Sequence, residues 1–445
     1  MQRQAATPKG LGRRIRDLCF QDVGDQRMAS KVTYPLPLVL TSLVVGMTTA
    51  ARSLRAVEKR TKQVAKKHGR WMGIKQRIAD NTFGDILPWL VVGELVACMQ
   101  KGVKAEHRRG NLEPTVLPVG TIAIDGKNVA TLHWHDLCRV LELDKTKAQP
   151  DEVRALLAQR FPDVQFCVPT QGQPYALARV HTVTLISSDA AVCMHQRQTL
   201  GHTNEIGSMP ELLAEVHAGY GRSSLITMVT TDAGNTSLEV AGLILGYRWD
   251  YFLQIKSGQG DLYTEAVRAL GSQTEATADF SQADQQNGKL ISYHLWQHDL
   301  SEQGWLGWTH ARQIVRVQRT EEDPDTGTTK TGNRFYVCNR TPTQLRPKGC
   351  LKISRAHWRC ENETHWTADV ESHEDRRRLA WSRHPQGVFA VSVLRRIAVN
   401  ILAVARRLSR LGHSLETPTW QDVADHFLLV LCGSTLETEA FDAVE

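Results

Sequence analysis

The stretch VGTIAIDGK, Val119 to Lys127, decides the fold. It is a short apolar run ending in an acid. A buried strand fixes the backbone of Asp125 while the carboxylate emerges at the strand end, which is the rigidity a metal-binding acid needs. SLITMVTTDAG repeats the arrangement, with Asp232 closing the run. Between the two, ARVHTVTLISSD and AVCMHQRQT read as antiparallel strands joined at Asp189 and Ala190, and SMPELLAEVHAGY reads as a helix. After Asp232 come a helix from about Thr236 to Leu245, a strand DYFLQIK and a helix DLYTEAVRAL. This alternation predicts an α/β sheet covered by helices. Acids at the carboxyl ends of its strands stand where open α/β sheets build sites. Two such acids on neighbouring strands suit a pair of Mg²⁺ ions, which take oxygen ligands and keep positions open for a phosphate. Asp-Gly and Asp-Ala-Gly are also ordinary turn chemistry, so local sequence leaves both readings open.

A third acid has to come from elsewhere. ISRAHWRCENETHWTADVESHEDRRR, Ile353 to Arg378, is crowded with histidines and carboxylates. On a helix, spacing by four places His357, Glu361, His365 and Asp369 on one stripe and Trp358, Asn362, Trp366 and Val370 on the next. The tryptophan stripe is expected to pack on the sheet, leaving Glu361 at the edge of the contact, aimed along it. Glu363 and Asp369 are the nearest alternatives. A zinc site from His357, Cys360 and His365 matches no usual ligand spacing, because Cys360 is off the histidine stripe and no second cysteine is near.

The rest of the chain supplies context. Its 445 residues are 41% hydrophobic, enough for two or three cores. Nine scattered cysteines, none in a CxxC pair, indicate neither a disulfide framework nor a zinc ribbon and fit a reducing cytoplasm. The net charge of +7 is uneven: residues 1–110 hold 21 Lys and Arg against 8 Asp and Glu, whereas beyond Arg410 there are seven acids and no Lys or Arg. A basic front segment is the electrostatic footprint of a polyanion partner. Residues 1–30 read as a basic flexible arm and 31–115 as a helical domain. The cationic end of that domain (Arg52, Arg55, Lys59, Arg60, Lys62, Lys66, Lys67) is suited to phosphates or to a solvated face. Residues 116–410 form the sheet domain, interrupted by an excursion at about 128–176, with the helix DEVRALLAQRF, and by a strand-rich insert at about 272–345, with strands RQIVRVQRT and NRFYVCNR. GVFAVSVLRRIAVNILAVARRLSR follows as a long amphipathic helix, and 411–445 is an acidic end segment. The apolar run Pro35 to Ala51 is too short and too interrupted to span a membrane and reads as a buried helix.

Together these motifs resemble a known family. AIDGK, HTNEIGSMPELL, TTDAG, DYFLQIKSGQGDL and RAHWRCENETHWTADVESHED followed by VLRRIAVNIL resemble the bacterial insertion-sequence DDE transposases of the H-repeat-associated type. PLPLVLTSLVVGMTTAARSLRAVE and IADNTFGDIL resemble that family's helical leader and linking segment, so the match runs in order from about residue 20 to 410. The resemblance implies an RNase H-like mixed sheet flanked by helices, in which Asp125, Asp232 and Glu361 bind two Mg²⁺ ions, with Mn²⁺ as substitute. It also implies supporting or DNA-binding roles for Lys127, Asn204, Glu205, Lys256, His357, Arg395 and Arg396, with Arg376, Arg377 and Arg378 as further phosphate contacts. The implied activity is cleavage at transposon ends and joining of the freed 3′-hydroxyls to target DNA by a cytoplasmic homo-oligomer. A catalytically inactive or domesticated relative that only binds DNA is the alternative. Departures from the family pattern fall at HTNEI, at KSGQ, at AGNTS after Asp232, and around Glu361, where the position four before is His357 and the position seven after is Ala368.

Overall fold

The computed structural model describes residues 7–201, 206–221, 223–302, 306–370, 384–410 and 418–433. The described residues from 7 to 108 are mostly helical: α1 Pro8–Asp17, α2 Leu36–Thr48, α3 Leu54–Lys67, α4 Gly69–Met72, α5 Asp80–Ile86 and α6 Val92–Arg108. The expected flexible arm is replaced from residue 8 by α1. Thr7 caps that helix through its hydroxyl, and Leu11 and Ile15 enter the core. Two apolar residues one turn apart suffice to dock a basic helix, and the charge pattern alone hid them. The apolar run after Pro35 becomes α2, buried along nearly its whole length.

The sheet begins with β1 Thr121–His133, followed by α7 Trp134–Val140, α8 Pro150–Arg160, β2 Val164–Cys167, β3 Tyr175–Leu185 and β4 Val192–Gln198. Then come α9 Met209–Tyr220, β5 Met228–Thr231, α10 Leu238–Gly246, β6 Asp250–Ile255 and α11 Gly260–Leu270. The strand-rich insert is a meander, β7 Phe280–Gln286, β8 Lys289–Asp299, β9 Gln313–Asp323 and β10 Thr328–Cys338. The segment EEDPDTGTTKTGN mostly extends β9 and β10 around a tight turn.

All ten strands join one sheet. β4 pairs with β3, β3 is antiparallel to β1, and β1, β5 and β6 run parallel. β10 then adds to β6 antiparallel and carries β9, β8 and β7 outward. Parallel neighbours need crossovers, and α9 and α10 provide them.

Alternation along the strands sorts the two faces. Ile122, Ile124, Val229 and Leu253 lie in the core that also holds side chains of α6, α9, α10 and α14 Pro385–Arg410. Ala123, Met228, Phe252 and Tyr336 face the other way, against Leu351, Ile353 and Ala356 of α12 Pro347–His357. The first core runs without a break into the N-terminal helices and into α15 Trp420–Cys432.

The long helix α14 departs from the expected single apolar stripe. Val388 to Val399 are all buried, with Arg395 3% and Arg396 0% exposed. It is long and apolar enough to cross a membrane, but 94% of its apolar window is buried inside the protein. It is the central helix of the core, enclosed by α2, α6 and β4.

Candidate active site

Asp125 and Asp232 are neighbours by strand register. Ile124 of β1 and Thr231 of β5 are partners in the parallel pair, so the next residue on each chain is an aspartate, one strand spacing of about 4.8 Å apart in the main chain. Both fall on the face that α12 covers: Asp125 alternates with Ala123, and Asp232, still extended at φ −71° and ψ 173°, alternates with Thr230. Asp232 caps the short turn that follows it. Asn235 donates from both its backbone N (3.1 Å) and its Nδ2 (2.9 Å) to Oδ1. Among the described residues no donor is bonded to Oδ2. A Cβ at Gly234 would lie 3.2 Å from that oxygen, so glycine there keeps its surroundings open.

After α12 the chain widens into a π-helical turn, Cys360–His365, and resumes as α13 Trp366–Val370. This turn overturns the expected stripes. A π turn closes i to i+5, so residues past Glu361 rotate relative to an α-helix. The buried side is His357, Cys360, Thr364, His365, Thr367 and Ala368. The tryptophans do not seat the helix on the sheet: Trp366 is 50% exposed, and half-buried Trp358 lies under the guanidinium of Arg334, 4.2 Å from its ring centre. Hydroxyls of the sheet form the floor instead. Thr182 Oγ1 lies 2.8 Å from His365 Nε2, Thr184 Oγ1 3.5 Å from Thr364 Oγ1, and Thr230 Oγ1 3.4 Å from His357 Nδ1. Arg359 pins the turn from its other side, donating to the carbonyls of Ile186 (2.6 Å) and Ser188 (2.7 Å).

The turn also sorts its acids. Glu363 forms a double contact with Arg359 at 2.6 and 2.9 Å, and Asp369 takes the ammonium of Lys127 at 2.5 Å. Glu361 is exposed on the side of the aspartates. Partial burial raises its carboxyl above the usual range, Arg334 opposes that, and the charge of Asp232 adds to it. Glu361 therefore feels Asp232 as a repelling neighbour.

Both histidines of the turn are neutral near pH 7. Burial pushes His357 down to about 4, against the pull of Asp232. Burial, Arg396 and Lys127 hold His365 well below its ordinary value. His365 Nδ1 sits 3.3 Å from Asp125 Oδ2. With the ring deprotonated this contact is one of a neutral imidazole with a carboxylate, not an ion pair, and it orients Asp125 without spending its charge. The zinc arrangement is not formed: Cys360 Sγ donates to His357 O at 3.0 Å, and His365 is engaged by Asp125 and Thr182.

With this geometry in place, the chain can be set beside known proteins. No protein-family model matches it. It is 25% identical over 230 residues to "Putative transposase YncI" of Escherichia coli O157:H7, covering 50% of this chain and 56% of the relative. It is 24% identical over 239 residues to "H repeat-associated putative transposase YhhI" of E. coli K12, covering 50% of this chain and 58% of the relative. The chain is similar to putative transposases of the H-repeat-associated type. The match spans about half the length of these curated relatives. Among solved structures, the cryo-EM structure of the piggyBac transposase synaptic complex with hairpin DNA aligns over 96% of this chain and 77% of its own, at 10% identity and a TM-score of 0.40.

The other residues that the H-repeat-associated resemblance singles out are dispersed. Lys127 braces the turn, bonding His365 O at 3.1 Å as well as Asp369. Lys256 is exposed just past the end of β6, beside the Asp232 turn, and its backbone N donates to Gln259 Oε1 at 2.6 Å. Gln259 in turn donates to Ala233 O and Thr236 O, tying the two loops together. Arg395 and Arg396 are corrected: both are buried, and Arg396 Nη1 donates to Thr364 O at 3.1 Å, so it supports the π turn from behind and does not reach a phosphate. Arg60 of the cationic helix end is likewise buried, bonded to Thr49, and Lys67 donates to Cys432 O. Asn204, Glu205 and Arg376 to Arg378 lie outside the described residues. Sequence reasoning missed Arg334, Arg359 and Asn235. Only Asn235 carried a signal, an Asp followed three residues later by Asn, which is side-chain capping chemistry.

If Asp125 holds a metal in a DNA-cleaving site and His365 orients it, His365→Phe should keep the fold and lower metal-dependent DNA cleavage by about 10- to 100-fold, the usual cost of losing a partner that orients a ligand. The rate is to be read on the purified variant at saturating metal. A wild-type rate would show that the contact is only packing.

Proposed function

We propose that the chain is a DNA transposase of RNase H-like fold that cuts at transposon ends and joins the freed 3′-hydroxyls to target DNA. The observation that carries this reading is the placement of Asp125 and Asp232 side by side on one face of parallel strands, with Glu361 delivered over that face by the π turn. The order β4, β3, β1, β5, β6, with three antiparallel strands followed by two parallel ones, supports the RNase H-like assignment, and β7 to β10 form an insertion at its edge.

Among the described residues no three His, Cys, Asp or Glu side chains stand together as a ready metal-holding group. The donors nevertheless fit a hard divalent cation. All three are carboxylates, Asp232 keeps an unbonded oxygen, and Glu361 is destabilised by a neighbouring negative charge that a cation would offset. Asp125, Asp232 and Glu361 would hold Mg²⁺ or Mn²⁺, two ions in the pair arrangement, and the metal would supply Lewis acidity and charge neutralisation for phosphodiester displacement. The protein's own part is positional. Asn235 fixes Asp232, His365 orients Asp125, and Arg359 with Arg396 fixes the turn that presents Glu361. Exposed cations of α3 and Lys256 offer contacts for DNA phosphates, which position the substrate without reading its sequence. Bringing two transposon ends together calls for a homo-oligomer acting in the cytoplasm.

That no three ligand-type side chains stand together among the described residues favours a second reading, a DNA-binding relative that no longer cuts. One experiment separates them: purified protein with a labelled duplex carrying the ends of its own element, in Mg²⁺, Mn²⁺ or EDTA. Cleavage that requires the metal is the expected result. Salt-sensitive binding with no cleavage in either metal would establish the non-cutting relative instead.

A further inference from the structure

Between the β7 to β10 meander and the end of α12 lies a groove of about 610 Å³ whose lining includes Arg319, Lys330, Arg334, Arg355, Trp358 and Asn362. Trp358 and Asn362 bracket Glu361 in the chain, so the groove opens beside the third acid. Its four cations are not equivalent. Arg319 is paired with Glu321 at 2.9 Å and Arg355 with Asp284 at 2.7 Å. Lys330 and Arg334, both on β10 and both exposed, have no carboxylate within 4.0 Å among the described residues.

We propose that Arg334 and Lys330 form a phosphate clamp that holds the backbone of the DNA strand running past Glu361. The proposal rests on the transposase reading and adds to it a specific strand path, across a part of the sheet that resemblance left unassigned.

Three observations carry it. First, the turn that bears Glu361 brings no free guanidinium of its own: Arg359 is committed to Glu363 and to carbonyls of the 186–189 segment. The position four before Glu361 is His357 and the one seven after is Ala368, both buried. A cation for a phosphate at this spot has to reach in from another element, and Arg334 does so from β10. Second, Arg334 is preorganised. Its guanidinium sits over the Trp358 ring, 4.2 Å from the ring centre, a contact that holds the side chain in place for a phosphate. Third, the groove's rings are already covered: Trp358 by Arg334, and Tyr293 by Arg355 at 4.7 Å. Bases would have to displace those guanidiniums to stack, whereas phosphates meet them directly. The groove is therefore matched to backbone and not to base.

The test is binding of an end-bearing duplex in EDTA, where cleavage does not intervene, measured from about 50 to 200 mM salt, the range over which phosphate contacts dominate the change in affinity. Arg334→Gln and Lys330→Gln should each lower the slope of log K against log salt by about 0.9, the loss of one phosphate contact. Arg334→Lys should keep the slope while weakening binding. Arg154→Gln, on α8 at the opposite, β2 edge of the sheet and paired with Asp151, should leave both unchanged. All three positions are on the surface, and circular dichroism would verify folding. If the two clamp variants show the wild-type slope while the wild type binds normally, the clamp is wrong and the transposase reading stands. If folded wild-type protein shows no salt-dependent DNA binding at all, the transposase reading fails and the clamp with it.

Discussion

Glu361→Gln is expected to bind an end-bearing duplex as tightly as the wild type and to cut it more than about 100-fold more slowly, since losing a direct ligand should exceed the cost of losing one that only orients a ligand. The substitution preserves shape and removes one charge. The turn's geometry does not depend on that charge, because Arg359 on one side and Arg396 with the threonine hydroxyls on the other hold it. Asp232 and burial both disfavour the ionised form of Glu361. Removing the charge should therefore keep the melting temperature of the metal-free protein or raise it slightly. A fall in rate with preserved binding and melting temperature is the signature of a site built for a ligand at the expense of local stability. Single-turnover cleavage and a thermal melt on one preparation give all three quantities. A variant that cuts at the wild-type rate would remove Glu361 from the site. Glu363 and Asp369 would then be poor replacements, since Arg359 and Lys127 already hold them.

Where side-chain alternation or strand order governed the outcome, the sequence was readable. Asp125 and Asp232 were legible because each follows an apolar strand-forming run, but only Asp232 stands at a strand end: β1 continues through Asp125 to His133, and the parallel register of Ile124 with Thr231 is what sets the two acids side by side. The third acid was legible only through resemblance. The spacing argument assumed an α-helix, and nothing in RCENETH announces the π turn that moves Trp366 outward and His365 inward. Arg395 and Arg396 failed for a related reason. Charged pairs on an amphipathic helix ordinarily face water, but the N-terminal helices and α15 enclose α14 on the sides that the sheet leaves open. No local pattern encodes that enclosure, because the covering residues of the N-terminal helices lie hundreds of positions away. The phosphate-facing surface was obscured in the same way. Arg334 sits in a polar, strand-rich insert whose relation to Glu361 exists only once β10 pairs with β6.

The register that brings the aspartates together depends on a glycine, and this gives the second large effect. Gly120 precedes β1, and its carbonyl accepts from Thr227 N at 2.7 Å and Met228 N at 3.0 Å, the first rungs of the β1 to β5 pairing. A Cβ at this position would lie 2.2 Å from Ser224 O and 2.5 Å from Leu225 O. Both are backbone atoms, so no side chain can rotate away and the strands must part. Gly120→Ala should lose about 3 kcal/mol, the upper end for overpacking a well-filled core. Cleavage should suffer more than the melt suggests, because displacing a reacting group by about 1 Å can cost about 100-fold. Gly242→Ala is the matched control. It stands on the exposed side of α10 with nothing within 4 Å of its Cβ, and it should gain up to about 1 kcal/mol from helix propensity while leaving cleavage unchanged. Denaturant midpoints for the pair, with cleavage rates in Mg²⁺, decide the matter. If Gly120→Ala melts and cuts as the wild type does, the close approach of these strands is not what fixes Asp125 against Asp232. If it loses stability yet keeps its rate, the strands part without moving the two carboxylates.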